Sequence, residues 1–284
     1  MQLCHSPQQI KELIIALRKD GARLAFVPTM GNLHPGHLAL VKHARQSCDR
    51  VVVSIFVNPL QFGANEDLDA YPRTLEQDRL TLERLGVDGL FLPTEEQMYP
   101  DGKLASTRVE VPGLSDILCG AGRPGHFLGV TTIVTKLFNI IRPDVAVFGE
   151  KDYQQLNLIK RMVSDLFMDI DVQSLATIRE DDGLAMSSRN GYLSAEQRVL
   201  APTIYKVLKK IEKKLLEGAE NFQVLSIDAE KELLLSGFEP EYVEIRNAKN
   251  LQPIDNKDEK SLVVLIAARL GTTRLIDNLL VRLK

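Results

Sequence analysis

The sequence predicts an α/β protein, a Rossmann-like doubly wound parallel sheet followed by a smaller C-terminal α+β domain. Three observations carry that prediction. Short β-branched runs alternate with segments of helical periodicity from Arg23 to Leu166, and such alternation builds a parallel sheet with helices on both faces. The strand-like runs are nearly continuous in apolar residues, as strands buried on both faces are. Beyond about residue 180 the order changes to two helices and then three strand-like pieces. The boundary falls between 176 and 190, giving domains 1–180 and 181–284.

Arg23-Leu24-Ala25-Phe26-Val27-Pro28-Thr29 reads as a buried strand stopped by proline. Residues 36–48 carry Leu40, Val41 and Ala44 at helical spacing, and Val51-Val52-Val53-Ser54-Ile55-Phe56-Val57 is the next strand. A polar loop over 58–74 leads to a helix over 75–85 and a strand at Gly89-Leu90-Phe91-Leu92. Phe127, Val130, Val134, Leu137 and Ile141 mark a helix ending at Pro143, ahead of the strand Val145-Ala146-Val147-Phe148. Leu156, Ile159, Val163 and Leu166 mark another helix. In the second part, one long helix is expected through Val199, Thr203, Val207, Ile211 and Leu215, and a second over 222–235. Strands follow at 242–246, 262–268 and 274–280. The lysines at 206, 209, 210, 213 and 214 share one polar face of the long helix and read as solvated.

Composition narrows the function classes. Apolar residues make up 44% of the 284, too many for a disordered chain. Lys plus Arg number 35 against 38 Asp plus Glu, for a net charge of −3. That lacks the basic excess expected of a chain held to nucleic acid by phosphate contacts, so the default partner is a small molecule. The longest apolar run, at 262–268, is too short to cross a bilayer, and the first residues lack the basic and apolar regions of a secretory signal. Three widely spaced cysteines suggest reduced thiols rather than a disulfide framework or a zinc site. A cytoplasmic location is the expectation.

The most informative stretch is Met30-Gly31-Asn32-Leu33-His34-Pro35-Gly36-His37, between the first strand and its helix. In open parallel sheets, ligands bind outside the carboxyl ends of the strands. His34 and His37, three apart, can face one ligand, and a helix start offers N–H groups and positive dipole character to a phosphate. Capping or core histidines, and a zinc site, are the competing readings. A second strand end carries Gly149-Glu150-Lys151-Asp152-Tyr153-Gln154-Gln155. There Lys151 suits phosphate oxygens and Asp152 suits ribose hydroxyls, against the plainer reading of a capped helix with a surface lysine. Met186-Ser187-Ser188-Arg189-Asn190 lies at the proposed junction, where hydroxyls plus a guanidinium make a phosphate clamp or simply a polar linker. Gln61, in Asn58-Pro59-Leu60-Gln61-Phe62, can hold a substrate carboxylate without neutralising it, or be a satisfied turn amide. Gly120-Ala121-Gly122-Arg123-Pro124-Gly125 matches a dinucleotide fingerprint in letters only, because no convincing strand precedes it. A flexible loop is expected there.

Taken together, these motifs resemble those of the pantoate–β-alanine ligases within the HxGH nucleotidyltransferase-like superfamily. Tyr71-Pro72-Arg73-Thr74 and Arg123-Pro124-Gly125-His126-Phe127 add to the likeness, which covers essentially the whole chain. The resemblance implies ATP-dependent joining of (R)-pantoate to β-alanine through a pantoyl-adenylate, with release of pyrophosphate and AMP. It implies ATP contacts from Met30, Gly31, Asn32, Leu33, His34, Pro35, Gly36, His37, Gly149, Glu150, Lys151, Asp152, Ile178, Met186, Ser187, Ser188 and Arg189. His37 would be the proton donor and His34 its partner, with Lys151, Ser187, Ser188 and Arg189 also in catalytic roles. Gln61 and Gln155 would hold pantoate, Gln61 also lying by β-alanine. Mg²⁺ would travel with ATP, with no protein metal ligand assigned, although Asp78 is a candidate. The resemblance further suggests a homodimer, with the C-terminal domain as a lid. The alternatives are a nucleotidyltransferase that leaves the nucleotide on its product, and a nucleotide-binding regulator or RNA-binding relative.

Overall fold

The chain begins with β1 (Gln2–Cys4), α1 (Pro7–Leu17), β2 (Leu24–Thr29), α2 (Pro35–Ser47) and β3 (Arg50–Ile55). A 3-10 turn at Pro59–Gln61 follows, then α3 (Leu75–Arg84), β4 (Gly89–Phe91), α4 (Glu95–Met98), α5 (Cys119–Gly122), α6 (His126–Ile141) and β5 (Val145–Gly149). Next come α7 (Tyr153–Asp165), β6 (Asp171–Leu175), α8 (Ala195–Leu200), α9 (Thr203–Leu216), α10 (Phe222–Leu235), β7 (Glu239–Asn247), β8 (Ser261–Leu270) and β9 (Thr273–Arg282). This is a computed structural model that describes residues 1–63, 66, 68–254 and 259–283. They divide into two compact units, 1–150 with 158–176, and 151–157 with 177–283.

The first unit is built on a six-stranded sheet in the order β1-β4-β3-β2-β5-β6, parallel throughout. The order reverses at β2, where β3 lies on one side and β5 on the other. That reversal is the crevice in which open α/β sheets place ligands. The inner strands β2, β3 and β5 are largely buried, with Ala25, Val27, Val51, Val53, Val145 and Val147 packed against Val41, Ala44 and Leu82 of the covering helices. Burying each such side chain contributes roughly 1.5–3 kcal/mol for the larger aliphatics.

The second unit is α+β. Its antiparallel sheet β7-β8-β9 packs Val264, Ile266 and Ala268 against Ile204, Val207, Leu208 and Ile211 of α9 and Leu225 and Leu233 of α10. On α9, Lys209, Lys210, Lys213 and Lys214 pair with acids, Lys210 with Glu232 and Lys214 with Asp228 of α10, and keep exposed side chains.

The expected fold class therefore stands, with three local corrections. The expected single helix through Val199 is two, α8 and α9, because Pro202 has no N–H to continue the ladder; Val199 is exposed rather than on a core face. The glycine-rich stretch at 120–125 is not a loose loop. Gly120 is buried in α5 so close to the Ser115 carbonyl that a Cβ would stand 1.8 Å from its oxygen. The third correction concerns elements the patterning did not raise. β6 has polar residues and one neighbour only, and β1 is three residues long. α1 is capped by Ser6, whose side chain accepts from Gln9 N, and buries Ile10, Leu13 and Ile14.

Because Gly120 has backbone where a Cβ would go, Gly120→Ala is expected to destabilise the fold by about 1–3 kcal/mol. Chemical denaturation checks this, and an unchanged midpoint would show that the segment yields instead.

Candidate functional site

The turn after β2 is held in an unusual backbone shape. Gly31 has φ +83° and Asn32 φ +50°, in the left-handed region that glycine and asparagine tolerate best. At Gly31 a Cβ would meet Ile55 Cγ2 at 3.0 Å and Asp78 Oδ2 at 3.3 Å, so glycine also fits the space. Asp78, buried on α3, accepts from Asn32 N and Leu33 N at 2.8 Å each and from the Thr74 hydroxyl at 3.2 Å. A buried carboxylate is tolerated because three donors satisfy it. Those donors also make its oxygens a poor place for a cation. The turn's other end is closed by Thr29, whose hydroxyl accepts from Gly31 N and donates to Ser54 O.

The two histidines come next. His34 is the N-cap of α2 and its Nδ1 accepts from Gly36 N at 3.2 Å, while His37 Nδ1 accepts from His34 N at 3.4 Å. The rings lie 4.0 Å apart between centroids, tilted by 39°. An imidazole nitrogen that accepts from a backbone N–H carries no proton, so each neutral ring holds its proton on Nε2. Both rings are thus fixed in the tautomer that presents an Nε2–H donor. The expectation of free N–H groups at this helix start needs correcting, since His34 takes the Gly36 N–H as Ser or Asp would at a cap. Capping and anion recognition are compatible here, because one uses Nδ1 and the other Nε2. Met30 and Pro35 flank the pair, Met30 half-buried and Pro35 exposed at the first helical position.

Gln61 ends the 3-10 turn after β3. Its Oε1 accepts from Asn58 Nδ2 at 3.2 Å, and its Nε2 donates to Met30 Sδ at 2.9 Å. Asn58 is itself buried, donating also to Gly129 O and accepting from the Tyr99 hydroxyl at 2.7 Å. The Gln61 carbonyl accepts from His126 Nδ1–H at 2.7 Å, and Arg123 donates to His126 Nε2 and pairs with Glu66. Burial alone would raise the Glu66 carboxyl, but the hydrogen bond and charge of Arg123 hold it below the usual range. Gly129 of α6 approaches so closely that a Cβ would stand 2.4 Å from Leu60 O. So both the amide orientation and the backbone position of Gln61 are fixed. At the end of β5, Gly149 pairs with Leu175, and Glu150 accepts from the Ser174 hydroxyl.

The remaining candidates belong to the second unit. Lys151, in the 3-10 turn Glu150–Asp152, has a side chain 20% exposed and lies 3.9 Å from the Asp152 carboxylate. Gln155 sits half-buried on the first turn of α7. Ile178 and Met186 close a hairpin, Met186 N donating to Ile178 O and Arg179 bridging Ala185. Ser187 caps the 3-10 helix Ser188–Tyr192, accepting from Arg189 N at 3.3 Å. Asn190 ties that helix to Glu180 and to Ala185 O. Arg198 clamps Glu180 and Asp182 at 2.6 Å each, and its hydrogen bond holds the Asp182 carboxyl below the usual value. The Met186–Arg189 segment is thus a braced hairpin, not an open linker.

Sequence reasoning did not give Asn58 its orienting part, and it raised Asp78 only as a candidate cation contact, not as the backbone anchor it is. A signal existed for the second: Asp78 stands four residues before buried Leu82, on the inward face of α3. Among the described residues, no group of three or more His, Cys, Asp or Glu side chains could hold a metal ion. Among the described residues, no helix is long and apolar enough to cross a membrane.

Comparison with known proteins gives a consistent result. The family model described as pantoate-beta-alanine ligase matches residues 2–280. A pantothenate synthetase from Pseudomonas putida strain W619 is 54% identical over all of this chain and 98% of its own. The crystal structure of pantothenate synthetase from Thermus thermophilus matches at 45% identity and a TM-score of 0.89, covering 98% of this chain and 99% of that one. A Francisella tularensis pantoate-beta-alanine ligase, complexed with beta-gamma ATP and beta-alanine, matches at 36% identity and 0.81, with 99% and 97% coverage.

Asp78→Asn leaves one turn N–H facing an amide N–H₂, so a loss of about 1–3 kcal/mol is expected. Denaturation against the wild type measures it. Wild-type stability would mean that the carboxylate does not hold the turn.

Proposed function

The chain belongs to the pantoate-beta-alanine ligase family, and from that premise we propose how its residues share the work. The enzyme joins (R)-pantoate to β-alanine at the expense of ATP, through a pantoyl-adenylate, releasing pyrophosphate and then AMP. The observation that carries the residue assignment is the paired histidine turn at the sheet's switch point, with both Nδ1 atoms committed to backbone N–H groups.

In the first step, pantoate's carboxylate attacks the α-phosphorus of ATP and negative charge grows on phosphate oxygens. Donors already aimed at that charge lower the barrier without reorganising. His34 and His37 supply Nε2–H donors, His37 as the proton donor. Lys151 and Arg189 supply positive charge, and Ser187 and Ser188 supply hydroxyls. The segments 30–37, 149–152 and 186–189, with Ile178, are the proposed ATP contacts. The nucleophile must be oriented yet stay reactive. Gln61 and Gln155 suit this because neutral amides hold a carboxylate without stabilising its ground state as a bidentate arginine would. For Gln61, the Asn58 contact leaves Nε2 as the donating end.

In the second step the β-alanine amine attacks the acyl carbonyl and AMP leaves, with Gln61 beside the amine. Residues 1–180 are proposed as the nucleotide- and pantoate-binding domain, and 181–284 as the lid that keeps water from the mixed anhydride. Mg²⁺ is proposed to enter on the phosphate oxygens of ATP. Asp78 does not fit as its ligand, because its oxygens face N–H and O–H donors. A cytoplasmic location is supported by the wide spacing of the three cysteines, which reads as reduced thiols rather than a disulfide framework, and a homodimer by the family resemblance alone.

His37→Ala and Lys151→Ala are each expected to slow adenylation by at least ~10²-fold, through loss of a transition-state donor. Full turnover in either variant removes that residue from the mechanism. Gln155→Ala is expected to raise the pantoate KM, and an unchanged value would end its binding role. AMP should form in step with pantothenate and only when β-alanine is present. AMP-free nucleotide transfer would instead favour a nucleotidyltransferase.

A further inference from the structure

Strand β9 carries a polar pair, Asp277-Asn278, both about 5% exposed in an otherwise apolar run. Neither belongs to the site described so far, and both reach toward it within the second unit. Asn278 Nδ2 donates to the backbone carbonyl of Lys151 at 2.9 Å. Asp277 takes Arg179 in a two-pronged pair, at 2.6 and 3.0 Å, and accepts from Asn278 N at 2.8 Å. Arg179 then donates to Asn278 O and Gly183 O, and its guanidinium lies 3.9 Å over the Tyr205 ring. Arg179 is also the bridge residue that closes the hairpin bearing Ile178 and Met186.

One strand position thus ties together two chain segments far apart in sequence, the lysine turn and the serine hairpin. A planar guanidinium bound at two points and stacked on a ring has little freedom left. Burying such a pair adds little net stability, since desolvation offsets most of the attraction. What it fixes is geometry. We propose that Asp277 and Asn278 are positioning residues for the adenylation step, holding Lys151 and the Ile178–Arg189 hairpin in one frame. The inference rests on the reading of Lys151 as a phosphate donor. Asn278 acts through the lysine's backbone and touches no reacting atom.

The test is a double-mutant cycle read by pantoate-dependent exchange of pyrophosphate into ATP. Asn278→Thr keeps a residue of like volume suited to a strand, but its hydroxyl is one bond shorter than the amide and falls short of Lys151. Asn278→Ala is the second variant, and a thermal melt of each confirms folding. In the wild-type background a fall in kcat of about 10-fold is expected, with the pantoate KM unchanged, because a donor displaced by a fraction of an ångström loses transition-state stabilisation. In the Lys151→Ala background the same substitution should produce little further change, since coupled residues are not additive. An unchanged kcat for folded Asn278→Thr, or an equal fall in both backgrounds, overturns the inference and leaves the lysine's role standing. Full exchange by Lys151→Ala alone overturns the lysine reading, and this inference with it.

Discussion

A buried carboxylate sets the shape of the turn on which the first half of the site rests. Asp78 binds two consecutive backbone N–H groups and a hydroxyl. Hydrogen bonds to a charged group contribute about 1.5–3 kcal/mol each, enough to offset the roughly 1–2 kcal/mol that left-handed backbone costs a residue with a Cβ. With Asn32 and Leu33 so held, His34 arrives at the helix start in extended conformation, and its ring turns back to cap Gly36. The tautomer of both imidazoles then follows from backbone geometry rather than from solvent. The imidazoles are one step removed from the carboxylate that arranges their turn.

The same logic separates the two kinds of substrate group. Where charge grows on phosphate, the candidate donors are N–H, O–H and cationic groups fixed before the reaction, which is the arrangement that lowers a barrier most. Where a carboxylate must attack, the candidates are neutral amides. Gln61 shows how such an amide is kept in one orientation: Asn58 takes its oxygen, His126 takes its backbone carbonyl, and the absence of a side chain at Gly129 lets the turn approach α6. An amide free to flip would offer a carboxylate its oxygen half the time.

The strand–helix alternation was legible because a parallel sheet buries both faces of its strands, so Val51-Val52-Val53 could hardly be anything else. The histidine turn and the lysine turn stand out in the sequence as polar, glycine-bearing breaks at the ends of the buried strands β2 and β5, and the serine segment as a polar stretch beyond β6. Other features were not, for physical reasons. β6 is an edge strand with polar residues, and its identity comes from pairing with β5, which local pattern does not contain. The break before α9 could have been read from Pro202. The part played by Asp78 depends on a contact 46 residues away, and that of Asn278 on one 127 residues away. No local pattern holds such distances, although a polar pair in an apolar strand and an acid on an inward helix face are signs that something buried needs them.

The measurement that tests the account most directly is exchange of labelled pyrophosphate into ATP, with pantoate present and β-alanine omitted. Exchange that requires pantoate, and that falls by at least ~10²-fold in His37→Ala, is what a preorganised donor in the adenylation step predicts. No exchange without β-alanine would contradict the pantoyl-adenylate. Undiminished exchange in the variant would contradict the part assigned to the histidine turn.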